Sequence, residues 1–117
     1  MNQSKICGML GLCRKAGKLI AGTDLVVEAI RSKKSMVKLV LLSADASDNT
    51  VKKVRNCCVH HEKKLCVLKQ DGELLAKTIG KTGVISACAI VDEGLAKALM
   101  ALLSTNNELE EQREENG

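Results

Sequence analysis

Apolar positions along the chain alternate between a helical period and short unbroken runs, and the changes of period mark out its elements. Ile6, Met9, Leu10 and Cys13 recur at helical spacing, with Ser4 placed to cap the segment and Gly17 to stop it, which predicts a first helix. Leu19 to Ala21 has room only for a short strand. From Thr23 onward, Leu25, Val26, Ala29 and Ile30 form one stripe while Asp24, Glu28 and Arg31 share the opposite face, as an amphipathic second helix requires. Val37 to Leu42 is almost wholly aliphatic and too short for a helix, so it reads as a central strand.

The same alternation continues. Ser47 to Thr50 opens a third helix with Val51, Val54, Cys57, Cys58 and His61 on one face. Lys64 to Leu68 follows as a strand, Asp71 to Ile79 as a fourth helix stopped by Gly80, Val84 to Val91 as the last strand and Glu93 to Leu103 as the last helix. Helices alternating with buried strands predict an α/β chain, a three-layer α/β/α sandwich around a mixed sheet of about four strands, formed as one domain over residues 1–104. Residues 105–117 are rich in Glu, Gln and Asn and lose periodicity; this acidic tail cannot bury enough apolar area to offset its ordering entropy and is expected to be disordered. Proline is missing throughout, so the breaks between elements fall to Gly, Ser, Asn and Asp.

Composition removes several classes. Apolar residues make up 45 % of the 117, but none is Phe, Trp or Tyr. Modules that bind single strands by stacking bases on exposed rings are therefore excluded. The six cysteines, at 7, 13, 57, 58, 66 and 88, follow an N-terminus without the charged-then-apolar pattern of a signal peptide, so they read as reduced thiols of a cytoplasmic protein. No apolar run is long enough to span a membrane as a helix, which points to a soluble chain with no membrane partner. Charge is unevenly spread: eight Lys/Arg face two acids over residues 1–40, nine face seven over 41–105, and one faces five over 106–117, leaving a body of +8 and a tail of −4. A basic body of this size suits a polyanion, although an ordinary solvated surface has the same appearance.

Catalytic chemistry finds little support. Gly11 to Lys18 resembles a phosphate loop but has Leu19 where a Ser or Thr would hold magnesium, and Gly80-Lys81-Thr82 has Leu75 where the first glycine belongs. Cys57, Cys58, His60, His61 and Cys66 cluster soft ligands, yet the paired spacing of zinc ribbons is lacking and the same positions form the apolar face of the third helix. No Ser-His-Asp arrangement can be assembled from two adjacent histidines, and Asp92-Glu93 suits the first turn of a helix. The expectation is a non-enzymatic protein without cofactor, metal or catalytic residues.

One stretch does read as a binding site. Arg14, Lys15 and Lys18 precede Gly22, Thr23 and Asp24 at the start of the second helix. Thr23 or Asp24 can cap the helix, the glycine permits close approach, and free N–H groups at a helix start favour phosphate.

Four segments in order, GKLIAGTDL (17–25), KLVLLSADAS (38–47), LLAKTIGK (74–81) and AIVDEGLAK (89–97), resemble the kink-turn RNA-binding family of ribosomal protein L7Ae and its L30e relatives, and within it the bacterial YlxQ branch, over residues 5–103. The resemblance implies an α/β/α sandwich that grips bent RNA at the start of its second helix, with a loop between the fourth helix and the last strand closing over an extruded nucleotide. It places Lys18, Gly22, Thr23, Asp24, Leu25 and Glu28 at the helix-start contacts, and Lys81, Thr82, Gly83, Val84 and Ile85 in the closing loop. Members that read kink-turns have Asn then Glu where this chain has Asp24 and Leu25, and a basic residue at Glu28. A carboxylate only accepts hydrogen bonds and leucine makes none, so base readout is weakened, while Arg14, Lys15, Lys18, Arg31, Lys33, Lys34 and Lys81 are available to phosphates. The expected function is binding of ribosomal or other structured RNA by a monomeric protein of translation, in contact with the ribosome. The alternatives are a protein-interaction adaptor on the same fold and a Cys/His metal or redox protein.

Overall fold

The computed structural model describes residues 2–105. Its elements follow in the order α1 (Asn2–Lys15), β1 (Leu19–Ala21), α2 (Thr23–Arg31), β2 (Leu39–Leu42), α3 (Asp48–His60), β3 (Leu65–Val67), α4 (Gly72–Thr78), β4 (Ala87–Ile90) and α5 (Glu93–Thr105). The strands form one mixed sheet in the order β1-β4-β2-β3, with β2 and β3 parallel and the other pairs antiparallel.

Period-two alternation divides each strand between two cores. Leu39, Leu41, Cys66, Cys88 and Ile90 point into a layer filled by Ile6, Leu10 and Cys13 of α1, Leu75 of α4, Ile79 just beyond it, and Leu99 and Leu103 of α5. Val40, Leu42, Leu65, Ala87 and Ala89 point the other way, onto Val26, Val27 and Ile30 of α2 and Val54, Cys57 and Cys58 of α3. This is the three-layer sandwich, and it explains why β2 and β4 read as continuous apolar runs: both faces are covered. With no rings to use, the core relies on fully buried Leu and Ile.

Two glycines stop helices as their positions suggested. Gly17 and Gly80 adopt φ 73° and 75°, a left-handed conformation that lets Lys18 N–H reach Cys13 O and Lys81 N–H reach Ala76 O across the last turns of α1 and α4.

Several boundaries are corrected. α1 begins at Asn2, so Ser4 lies within the helix and is not its cap. The buried arc of α2 is Val26, Val27 and Ile30, while Leu25 is 56 % exposed. α2 packs against both the sheet and α3, which moves its buried arc round to Val27 and leaves Leu25 outside it. β2 and β3 are shorter than their apolar runs, and His61 is half-buried, just past the end of α3. β4 starts at Ala87, not at Val84, because its partner β2 ends at Leu42, which pairs with Ala87. α5 continues to Thr105; the rest of the acidic tail lies outside the described residues. Among the described residues, no helix is long and apolar enough to cross a membrane.

Candidate nucleic-acid interface

The C-terminal ends of β1, β2 and β3 and the start of β4 meet at one edge of the sheet, since Ala21 pairs with Cys88 and Leu42 pairs with both Ala87 and Val67. α2, α3 and α4 all begin there, so three helices turn their positive ends toward this edge. Two of them are closed by side chains. Ser47 Oγ accepts from Thr50 N–H at the start of α3, and Asp71 Oδ1 accepts from Leu74 N–H at the start of α4.

α2 opens differently. Its N-cap is Gly22, at φ 109° and ψ 134°, and among the described residues no side chain caps the helix. Neither Thr23 nor Asp24 takes the capping role that the sequence suggested, because both already lie inside the first turn. Gly22 N–H donates to Ala87 O and Gly22 O accepts from Val26 N–H, which fixes the turn to β4. By helix geometry the N–H groups of Thr23, Asp24 and Leu25 have no carbonyl within the helix to bond.

Asp24 is turned toward α3, where its Oδ1 lies 3.2 Å from Lys53 Nζ; its side chain is 92 % exposed and that of Lys53 50 %. Part of its charge at the helix start is thus opposed by a cation. Lys53 carries no local signal of a site residue in the sequence, because its partner lies 29 positions away. A groove of about 470 Å³ runs between the two helices, lined by Asp24, Val27, Glu28, Arg31, Ser32 and Lys53. Two carboxylates, Asp24 and Glu28, and two cations, Arg31 and Lys53, line it.

The segment from Lys81 to Ser86 reaches the same edge, immediately before Ala87. Ile85 N–H donates to Gly72 O, and Ser86 O accepts from Ser43 N–H, so the segment is a tethered loop and not an extension of β4. Lys81, Thr82, Gly83 and Val84 are exposed, and with Glu73 and Lys77 of α4 they line a second groove. Gly83 has φ 85°, which lets the loop turn. Lys77 is a further cation that the sequence did not mark.

Gly22, Thr23, Asp24 and Leu25 therefore share an edge with the loop that ends at Ile85. The remaining site residues are spread out. Glu28 lies one turn along α2, and Arg31 ends that helix, roughly 12 Å from Thr23 at the rise of an α-helix. Arg14, Lys15 and Lys18 are exposed; Lys18 lies at the opposite end of β1, about 13 Å from Gly22 by strand rise, where its carbonyl accepts from Val91 N–H, and Arg14 and Lys15 end α1 just before it. Adjacency in sequence placed them beside the helix start; β1 carries them a strand length away. Within the soft-ligand cluster Cys58 is buried, while Cys57, His60 and His61 line one groove with the two imidazole centroids 4.8 Å apart.

A glycine-opened helix start and a tethered loop at the same end of a mixed four-stranded sheet characterise this class of α/β/α sandwich. Residues 4–100 match the model of the ribosomal protein L7Ae/L30e/S12e/Gadd45 family. Two relatives, each named RNA-binding protein YlxQ, come from Bacillus subtilis (strain 168) and Enterococcus faecium. The first is 39 % identical over 81 % of this chain and 91 % of its own length; the second is 36 % identical over 87 % and 94 %. A solved structure of a protein with unknown function from Bacillus halodurans C superposes with a TM-score of 0.77 at 31 % identity, covering 86 % of this chain and 97 % of that one. The chain belongs to the L7Ae/L30e/S12e/Gadd45 family. That family is named for ribosomal proteins and both relatives for RNA binding, neither for a catalysed reaction, in line with the non-enzymatic reading.

Proposed function

We propose that this protein binds structured RNA at the edge where the start of α2 meets the Lys81–Ile85 loop. The observation that carries the reading is the opening of α2 on Gly22 without a side-chain cap, while Ser47 and Asp71 cap α3 and α4 at the same edge. Unbonded N–H groups at a helix start are placed to meet phosphate oxygens, and a carboxylate or hydroxyl cap would compete with that contact. The relatives' names support RNA as the ligand.

Recognition relies on shape and phosphate contacts more than on base edges. Asp24 is engaged by Lys53, Leu25 offers an exposed apolar surface, and Glu28 puts negative charge where kink-turn readers are basic. Arg14, Lys15 and Lys18, at the far end of β1, suit an RNA long enough to cross the sheet edge to edge. Ribosomal RNA, a place in translation, a cytoplasmic location and a monomeric state belong to the same proposal. A second reading, an adaptor that docks a protein at this edge, draws on the exposed side chains of Leu25 and Val84.

Titration of a kink-turn RNA and an unstructured RNA of equal length, at low and moderate salt, tests the assignment. Tighter binding of the folded RNA at both salts is expected. Failure to bind either RNA at low salt would refute it and leave the adaptor; equal binding would reduce the protein to a non-specific polyanion binder.

A further inference from the structure

We infer that Asp45 is a positioning residue for the RNA site: through Gly72 it fixes the Lys81–Ile85 loop against the sheet edge without touching the ligand. The inference rests on the RNA-binding reading of that edge. Asp45 follows β2 and is exposed, yet its Oδ1 is doubly engaged, accepting from Gly72 N–H at 2.8 Å and from Ser43 Oγ at 3.0 Å. The Gly72 N–H bond, followed by that of the Ser43 hydroxyl, holds the carboxyl below the usual carboxylate range.

Gly72 is in turn the seat of the loop. Its carbonyl accepts from Ile85 N–H at 3.0 Å. A Cβ built on it would overlap Val84 Cγ1 and lie 3.1 Å from Ile85 O, so the loop rests directly on the glycine and any side chain there would displace it. Asp45 Oδ1 is 3.5 Å from the same built position. One carboxylate oxygen thus ties the β2–α3 connection to the first residue of α4, and that residue carries the loop. Ser43 N–H to Ser86 O and Ala44 N–H to Gln70 O brace the same connection on either side.

The sign of the expected effect separates positioning from charge. Removing a carboxylate beside a polyanion site strengthens binding if only charge matters, whereas a loosened loop weakens it. Asp45→Ala is expected to weaken binding of a folded RNA about tenfold, the size of one lost charge-assisted hydrogen bond. The slope of log affinity against log salt should not change, because no phosphate contact is removed. Asp45→Asn keeps an acceptor for the Gly72 N–H and Ser43 hydroxyl without the charge, and should bind with wild-type affinity or more tightly. Gly72→Ala keeps Asp45 and pushes Val84 outward, and should reproduce the loss seen with Asp45→Ala.

Hydrogen exchange of the free protein is read alongside. In Asp45→Ala the Ile85 amide should lose protection while the Val40 and Cys88 amides keep theirs, which shows that the chain is folded. Wild-type affinity in Asp45→Ala, tighter binding by it, or an unchanged Ile85 amide would each overturn the positioning role while leaving RNA binding intact. A wild-type chain that binds no RNA would overturn the reading of the site, and the positioning role with it.

Discussion

Glu28 concentrates the question of what a single side chain does at this edge. It lies one turn from Asp24 on the exposed side of α2 and lines the groove that Arg31 and Lys53 also line. A phosphate approaching the start of α2 meets attraction from N–H groups and repulsion from this carboxylate, screened by solvent on its open side. Glu28→Lys reverses that term. A gain of about 1 kcal/mol, roughly fivefold in RNA affinity at low salt, is expected. The salt dependence should steepen at the same time, since a new cation displaces a counterion. Affinity measured at three salt concentrations checks both, and an unchanged slope would mean that RNA does not pass this face of α2. Leu25 differs from Glu28 in kind. It has neither donor nor acceptor, so any contact it makes with a ligand is apolar.

At the scale of elements, the turn from β1 into α2 is the feature on which the site depends. Gly22 holds φ 109° with open space around the position of a Cβ, so a substitution there meets no neighbour and feels only the backbone. Gly22→Ala is expected to cost about 1–3 kcal/mol of stability, the strain of an L-residue in a glycine region. Chemical denaturation measures it, and a loss well below that range would mean that the turn relaxes to another conformation. The glycine itself was legible in the sequence, as were all nine elements, because buried strands and amphipathic helices leave strong periodic signals. What the sequence hid was the geometry between elements. Asp24 looks like a cap, but α2 opens on Gly22 and the carboxylate turns to Lys53 of α3, and Val84 looks like strand until β2 ends at Leu42 and Gly72 takes up Ile85. Arg14, Lys15 and Lys18 looked like neighbours of the helix start because the length and direction of β1 do not show in a list of charges. The partners that decide Asp24 and Val84 lie far along the chain, where local pattern carries no information.

At the scale of the whole molecule, the two cores share a dependence on cysteine. The six cysteines are present as thiols, five of them buried, and Cys58 and Cys88 lie in opposite layers of the sandwich. Burial, with a smaller effect of neighbouring Cys57, pushes the Cys58 thiol up to about 12; burial, with a smaller effect of Cys13, does the same for Cys88. The ordinary value is 9.0. Above pH 9 the unfolded chain releases these two protons while the folded chain keeps them, so the unfolded state binds fewer protons and stability falls as pH rises. The stabilisation is complete below pH 9 and drains away toward pH 12, at a limiting rate of about 1.4 kcal/mol per pH unit for each thiol. Asp45 behaves oppositely at the acid end, where its contribution is lost as pH falls through its lowered value. Because one thiol sits on each face of the sheet, alkaline weakening should draw on both layers and appear as one cooperative transition. Melting temperatures measured from pH 8 to 11 are expected to fall steadily in the wild-type chain. In a Cys58→Ala, Cys88→Ala variant the starting temperature should be lower, from the volume lost, but the decline should be shallower. Parallel declines in the two proteins would mean that the thiols ionise in the folded state as readily as in the unfolded one, and that the core around them admits water.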